Sequence, residues 1–222
     1  MTHRFDALLF DFDGVLIESE ALGNRHIAEY LTAAGHPTTP AESMARFMGL
    51  SGKDFLAAIE DHIGAPIPPD FQSARRAEDE RCLREGIEEV AGAAAFVRAL
   101  PTSLPRAVVS SSRVRWIATH LDHLDLRAAF GEHLYSGAEH VANGKPAPDL
   151  YLYAAERLGV AIERCAIIED SPVGATGAVA SGAFVIGLTA GGHCAPDHGD
   201  RLRAIGVNAI ARDFTEVKAL LG

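Results

Sequence analysis

After about residue 90 the chain alternates short apolar runs with stretches of helical periodicity, and no other feature constrains its fold as much. Residues 106–109, 165–168, 183–186 and 207–210 read as strands, with a weaker one at 133–136. Between and beyond them, 91–100, 114–123, 148–158, 172–181 and 214–221 read as helices. Strands alternating with helices of about 10 to 15 residues imply a doubly wound parallel sheet covered on both faces, joined by right-handed crossovers. One more strand, Ala7-Leu8-Leu9-Phe10, stands near the start and stops at Asp11. The stretch 18–88 is of another kind. Apolar positions recur there at helical spacing (Leu22, Ile27, Leu31; Phe55, Ile59, Ile63), Pro37, Pro40, Pro68 and Pro69 punctuate them, and 72–89 is densely charged. Three or four helices and no strand are expected. The predicted architecture is an α/β core, 1–16 plus 90–222, interrupted after its first strand by a helical domain at 17–89.

With 222 residues, 48% of them hydrophobic, the chain has ample material for such a core. Its formal net charge of −10 repels polyphosphate backbones and anionic lipid, so neither nucleic acid nor a membrane surface is an expected partner. It would repel a phosphorylated metabolite too, so any phosphate site must be locally positive. Cys82, Cys165 and Cys194 are odd in number and widely spaced, which suits a reducing cytoplasm and not a disulfide framework. The opening MTHRFDALLFDFDG lacks the basic and long apolar regions of a signal peptide. No run of about 18 apolar residues is present to span a bilayer. A cytoplasmic protein is expected, with a monomer as the default.

In open parallel sheets ligands bind beyond the carboxyl ends of the strands, and three of these strands end in polar residues. Asp11-Phe12-Asp13-Gly14 sets two carboxylates two residues apart, where both can face one site if the strand begins to turn. Their repulsion would be relieved by a divalent cation. An acidic strand-to-loop turn is the plainer alternative. Ser110-Ser111-Ser112 follows a strand and precedes a helix, where hydroxyls and N–H groups can hold an anion; capping by Ser111 or Ser112 competes with that reading. In Gly144-Lys145-Pro146-Ala147-Pro148-Asp149 two prolines stiffen a loop around a lysine, which suits a fixed ammonium or a simple surface lysine. Glu169-Asp170-Ser171-Pro172 adds two carboxylates of the kind magnesium takes, and a helix start in which Ser171 can cap.

Taken together and in order, DFDGVL, VVSS, GKPAPD and IIEDSPVG resemble the four motifs of the haloacid dehalogenase-like hydrolase superfamily. The chain is similar to that superfamily's β-phosphoglucomutase-like phosphatase branch over nearly its whole length. The resemblance implies a Rossmann-like core with an inserted helical cap, Mg2+ as cofactor, and a small phosphorylated metabolite, a sugar phosphate or similar monoester, as substrate. It implies Asp11 as nucleophile, Asp13 as acid and then base, Ser110 as a donor to the phosphoryl group and Lys145 as the neutralising cation. Magnesium would rest on Asp11, the backbone carbonyl of Asp13 and Asp170, with Glu169 acting through a water. An aspartate at position 13 argues for phosphate esters, because dehalogenases and phosphonatases of this superfamily lack it. Two departures weaken a mutase reading. The cap histidine of β-phosphoglucomutase would fall at Gly23, with His26 three residues beyond, and its cap arginine at Gly52, beside Lys53. Glu18 stands where many relatives carry aspartate. A non-catalytic binding or regulatory protein on this fold would lack a catalytic residue, and all six positions are filled.

Specificity is expected from the cap. Arg46 and Lys53, at the ends of 46–53, are candidates to hold a second anionic group, with plain surface charges the competing and favoured reading, and Ser111 is a further substrate contact. Residues 14–18 and 88–92 are the expected hinges. His193, Cys194 and His198 are metal-ligand types at close spacing, but a flexible glycine-rich loop explains 189–198 with fewer assumptions than zinc, and a substrate contact from His193 also ranks ahead of zinc. Trp116 is read as helix packing, His120 and His123 as structural, and Cys82 and Cys165 as small hydrophobes.

Overall fold

The computed structural model describes residues 4–48, 50 and 52–222. Six strands form one wholly parallel sheet: β1 (Ala7–Phe10), β2 (Arg106–Ser110), β3 (Leu134–Ser136), β4 (Cys165–Glu169), β5 (Phe184–Leu188) and β6 (Ala209–Ala211). Their order is β3-β2-β1-β4-β5-β6. The chain therefore winds outward from β1 in one direction, then from β4 in the other, and the crevice of the sheet lies between the carboxyl ends of β1 and β4. In register, Phe10 faces Val108 on one side and Ile168 on the other.

All four residues of β1 are buried, because both faces of the sheet are covered and a central strand needs apolar side chains on each. Alternation sorts them. Ala7 and Leu9 join Ala107, Val109, Ile167 and Val185 against Leu150, Tyr151 and Ala154 of α8 (Asp149–Leu158) and Ala178 of α9 (Pro172–Ser181). Phe10 turns to the other face, where its ring meets Phe96 of α5 (Ala93–Ala99) and Phe130 of α7 (Arg127–Phe130) edge-on at 6.1 and 5.6 Å. The remaining core helices are α6 (Val114–His123), α10 (His198–Ile205) and α11 (Phe214–Leu221). A single 3-10 turn, Ile162–Arg164, leads into β4. Starts are sharply capped. Ser171 accepts from Gly174 N with Pro172 in the first turn of α9, and Asp213 accepts from Glu216 N at α11.

The chain divides into two compact units, Met1–Glu18 with Ile87–Gly222, and Ser19–Gly86. The second consists of α1 (Ser19–Ala33), α2 (Pro40–Phe47), α3 (Gly52–Ile63) and α4 (Phe71–Glu85). It has its own core of Ile27, Leu31, Phe47, Phe55, Ile59 and Phe71. A full capping box, Thr39 with Glu42, starts α2. Within the first unit the two segments that flank the insertion run side by side. Glu18 N donates to Glu88 O (3.0 Å), Val90 N to Leu16 O (3.1 Å), and Ile17 pairs antiparallel with Glu89. No helix among the described residues is long and apolar enough to cross a membrane.

Two helices were not anticipated. Arg127–Phe130 is one turn long, too short to show a period, and in α10 only Leu202 of the interior turns is buried, so its apolar stripe is nearly absent. The last strand starts two residues later and ends one residue later than its apolar run suggests, at Ala209–Ala211.

Candidate functional site

Asp11 leaves β1 still tied to the sheet, since its N–H donates to Ile168 O of β4 (2.9 Å). Its buried carboxylate accepts from Lys145 Nζ at Oδ1 (2.7 Å). Lys145 arrives from the loop before α8, with a cis peptide to Pro146. It also donates to Glu169 Oε1, the last residue of β4 (2.6 Å), and its side chain is only 4% exposed. Burial works against its charge, but Asp11 and Glu169 outweigh it and hold the ammonium above the ordinary lysine pKa. Burial likewise pushes the Asp11 carboxyl well above the usual carboxylate range. Glu169 and Asp170 add to that shift and Lys145 opposes it.

Glu169 is fully engaged. Tyr151 Oη donates to Oε1 (2.6 Å), while the backbone N–H groups of Asp170 and Ser171 and the Ser171 hydroxyl reach Oε2 at 3.1–3.2 Å. Burial, then Glu169, raises the Tyr151 pKa far above the ordinary phenol, so the hydroxyl stays a donor. Asp170 differs. Its Oδ2 meets His193 Nε2 at 2.8 Å, and its buried Oδ1 has no hydrogen-bond partner among the described residues. Ligand oxygens of Asp11, Glu169 and Asp170 all lie within 4.8 Å of one another. Three carboxylates stand against Lys145 and His193, and one of their buried oxygens has no partner among the described residues; this all-oxygen donor set fits a hard divalent cation. The neighbouring backbone accommodates this crowding only as glycine. A Cβ on Gly14, at φ +79, would stand 2.0 Å from Asp170 Oδ2, and one on Gly174 1.9 Å from Glu169 Oε1.

Asp13 faces the end of β2. Its Oδ2 accepts from Ser112 Oγ (2.6 Å) and Ser110 Oγ (3.3 Å), and its Oδ1 from Trp116 Nε1 of α6 (3.1 Å). This adds to the reading of Trp116 as helix packing: the half-buried indole needs a partner for its N–H, and Asp13 lies across from it. The serine turn does not cap α6. Arg113 occupies the cap position, Ser112 N donates back to Ser110 Oγ (2.9 Å), and Ser111 is exposed. Behind Trp116 the buried His120 packs edge-on against the indole at 4.3 Å, and burial holds its pKa down to about 4.

A second group lies beside Asp170. His193 and His198 are buried, Cys194 is half-buried, and their ligand atoms also fall within 4.8 Å of each other. His193 pKa rises to about 10, since its bonds to Asp170 and Cys194 overcome the penalty of burial. Burial pushes the Cys194 thiol up, and the two imidazoles beside it more than offset that, leaving it below its ordinary value. Glu18 reaches the same loop, accepting from Gly192 N at 2.9 and 3.1 Å.

Of the residues singled out in the sequence, Asp11, Asp13, Ser110, Lys145, Glu169 and Asp170 thus converge at the carboxyl end of β1, β2 and β4, with Ser111 on the rim. Arg46 in α2 and Lys53 in α3 are exposed side chains of the helical unit; Gly49 and Ser51 between them lie outside the described residues. Sequence reasoning missed Tyr151, placed Ser112 only in an anion-holding or capping turn, and read Trp116 only as packing.

A family model described as haloacid dehalogenase-like hydrolase matches residues 5–182. The chain is 27% identical to 6-phosphogluconate phosphatase of Escherichia coli K12, over 87% of this chain and 86% of that one. It is 31% identical to β-phosphoglucomutase of Mycobacterium bovis, over 98% and 93%. A crystal structure of a HAD family hydrolase from Deinococcus radiodurans R1, with bound phosphate and sodium, superposes with a TM-score of 0.87 at 34% identity, covering 98% of this chain and 95% of that one. The chain belongs to the haloacid dehalogenase-like hydrolases, in their β-phosphoglucomutase-like branch.

Proposed function

We propose that this phosphoric monoester hydrolase is magnesium-dependent and acts on a small phosphorylated metabolite, a sugar phosphate or a close analogue, through an aspartyl phosphate on Asp11. The observation that carries the reading is the buried Asp11–Lys145 pair at the switch point of the sheet (2.7 Å). It sets a carboxylate, already neutralised on one side, where an incoming phosphate must pass. Likeness to a sugar-acid phosphatase and to a phosphate-bound hydrolase supports the substrate class.

Asp11 attacks phosphorus, and the bond from phosphorus to the ester oxygen breaks as the Asp11–phosphorus bond forms. Asp13 delivers a proton to the departing alkoxide, then removes one from the water that displaces Asp11 and frees phosphate. Ser112 and Trp116 fix both oxygens of Asp13, so the acid is oriented before substrate arrives. Lys145 offsets the charge on the attacking carboxylate, and Glu169, braced by Tyr151, keeps Lys145 in place. Ser110 and Ser111 offer donors to the phosphoryl oxygens from the end of β2. Asp11, Asp170 and the backbone carbonyl of Asp13 would hold magnesium, with the fully bonded Glu169 acting through a water. Once bound, the metal supplies the positive charge that lets a phosphate dianion approach this acidic cluster. Arg46 and Lys53, exposed cations of the helical unit acting as a cap, would hold a second anionic group of the substrate.

Phosphate release should be measured with magnesium and with EDTA across sugar phosphates, phosphoglycolate, 6-phosphogluconate and nucleotides, using Asp11→Asn as control. Turnover that needs magnesium and vanishes in Asp11→Asn is expected. The likeness to β-phosphoglucomutase favours one second reading, a sugar-phosphate mutase using the same aspartates. Isomerisation primed by a sugar bisphosphate, faster than phosphate release, would replace the hydrolase reading with it. Failure of both assays would leave a non-catalytic phosphate-binding protein.

A further inference from the structure

The loop after β5 and the start of α10 bring three nitrogen and sulfur ligands together outside the acidic pocket. His193 and His198 are 5% and 1% exposed, and Cys194 Sγ lies 3.4 Å from His193 Nε2. One ligand atom from each falls within 4.8 Å of the others, close enough for one ion to draw them to bonding distance. The second observation concerns hydrogen bonding. His198 Nε2 bonds the backbone carbonyl of Asp170, an acceptor only, so Nε2 carries the proton and Nδ1 carries a lone pair. Among the described residues that buried Nδ1 has no hydrogen-bond partner by distance and angle, and the Cys194 side chain lies beside the ring. A ring whose far nitrogen is fixed on a carbonyl, with its near nitrogen open, is the usual orientation of a metal-bound histidine. His193 presents its other nitrogen to the cluster: Nε2 lies 2.8 Å from Asp170 Oδ2 and 3.4 Å from Cys194 Sγ, so an ion bound to the thiolate would take this nitrogen from Asp170.

We infer that His193, Cys194 and His198 form a second cation site, which takes a borderline-soft transition metal of the zinc class with the thiolate and two imidazoles as ligands and water in the fourth position. Sulfur and nitrogen donors select such an ion over magnesium, which prefers the all-oxygen set next door. Three features of the fold are joined by it: the loop after β5, the first turn of α10, and, through the His198 bond to its carbonyl, the residue that follows β4. The inference does not depend on which ester the enzyme hydrolyses.

Cobalt(II) is the probe. The full-length, reduced, chelator-stripped protein is titrated with it in excess magnesium, which keeps the acidic pocket occupied, while the near-ultraviolet thiolate-to-cobalt band is followed. One cobalt per chain with such a band, bleached by added zinc, is expected. The band should disappear in Cys194→Ser, and His198→Gln should weaken cobalt at least about tenfold. Zinc should also raise Tm in the wild type and leave Cys194→Ser unmoved. A wild-type protein with no band overturns the site, and His193 is then only the ion-pair partner of Asp170. A band that survives in Cys194→Ser, or unchanged affinity in His198→Gln, assigns the metal to other ligands and overturns it equally. Should Cys194→Ser fail to fold, the wild-type band and His198→Gln still decide.

Discussion

Trp116 donates to Asp13 from the first turn of α6, so a ring that packs like a core residue also aims a carboxylate. Trp116→Phe keeps the aromatic contact and removes only the N–H. One hydrogen bond to a charged group contributes about 1.5–3 kcal/mol, so kcat is expected to fall about tenfold or more with KM little changed; steady-state kinetics on the best substrate checks this, and an unchanged kcat would return Trp116 to packing. Gly174→Ala tests the crowding at Glu169. The added Cβ would stand 1.9 Å from Oε1 and must displace the carboxylate that holds Lys145. Turnover should drop at least about tenfold and Tm should fall, since a buried charge loses its partner. The positions of Asp11, Lys145, Glu169 and Asp170 were legible because each follows a strand end or sits in a proline-braced loop. Tyr151 and Trp116 were not, because a helix period gives the face a side chain occupies, not the atom its polar tip will meet. The usable signal was chemical: a mostly buried Tyr or Trp nearly always finds a partner for its O–H or N–H.

Among the elements, the strands and long core helices followed from apolar runs and caps, and the start of α9 at Pro172 was marked by its Ser-Pro pair. What escaped were elements made by tertiary contact alone, the single turn α7 and the polar helix α10, which carry too few apolar residues to show a period. The cap of α9 is a direct test of local chemistry. Ser171→Ala removes the acceptor for Gly174 N and a donor to Glu169, and should cost about 1 kcal/mol or somewhat more in urea unfolding. In α6, burial depresses the His120 pKa to about 4, against about 6.5 in an unfolded chain. The folded protein therefore excludes a proton that the unfolded chain accepts as pH falls below about 6.5. Stability contributed by a neutral His120 is complete above that value and is lost progressively down to about pH 4, by at most about 1.4 kcal/mol per pH unit. His120→Phe should flatten this part of the acid dependence, read from urea midpoints at a series of pH values. A variant with the wild-type slope would refute it.

At the scale of the molecule, two cores share one chain. The helical unit buries Leu31, Ile59 and Phe71 around themselves, apart from the aliphatic sheet core. Such a chain should depart from two-state unfolding. Ile59→Ala, a fully buried truncation, is expected to cost about 2–5 kcal/mol in the helical unit, shifting exchange protection of amides in 19–86 first and those of the sheet little; uniform loss across both would mean a single cooperative unit. The side-by-side pairing of Leu16–Glu18 with Glu88–Val90 has a broader meaning. The sixty-eight residues of Ser19–Gly86, counted from their end numbers, leave and rejoin the sheet like the tip of a hairpin. Lengthening or replacing a hairpin tip costs only about 0.6 kcal/mol for each doubling of its length. The sheet and the inserted unit are thus spliced at one seam, and a lineage can trade the insertion wholesale while the register of every strand of the sheet stays as it was.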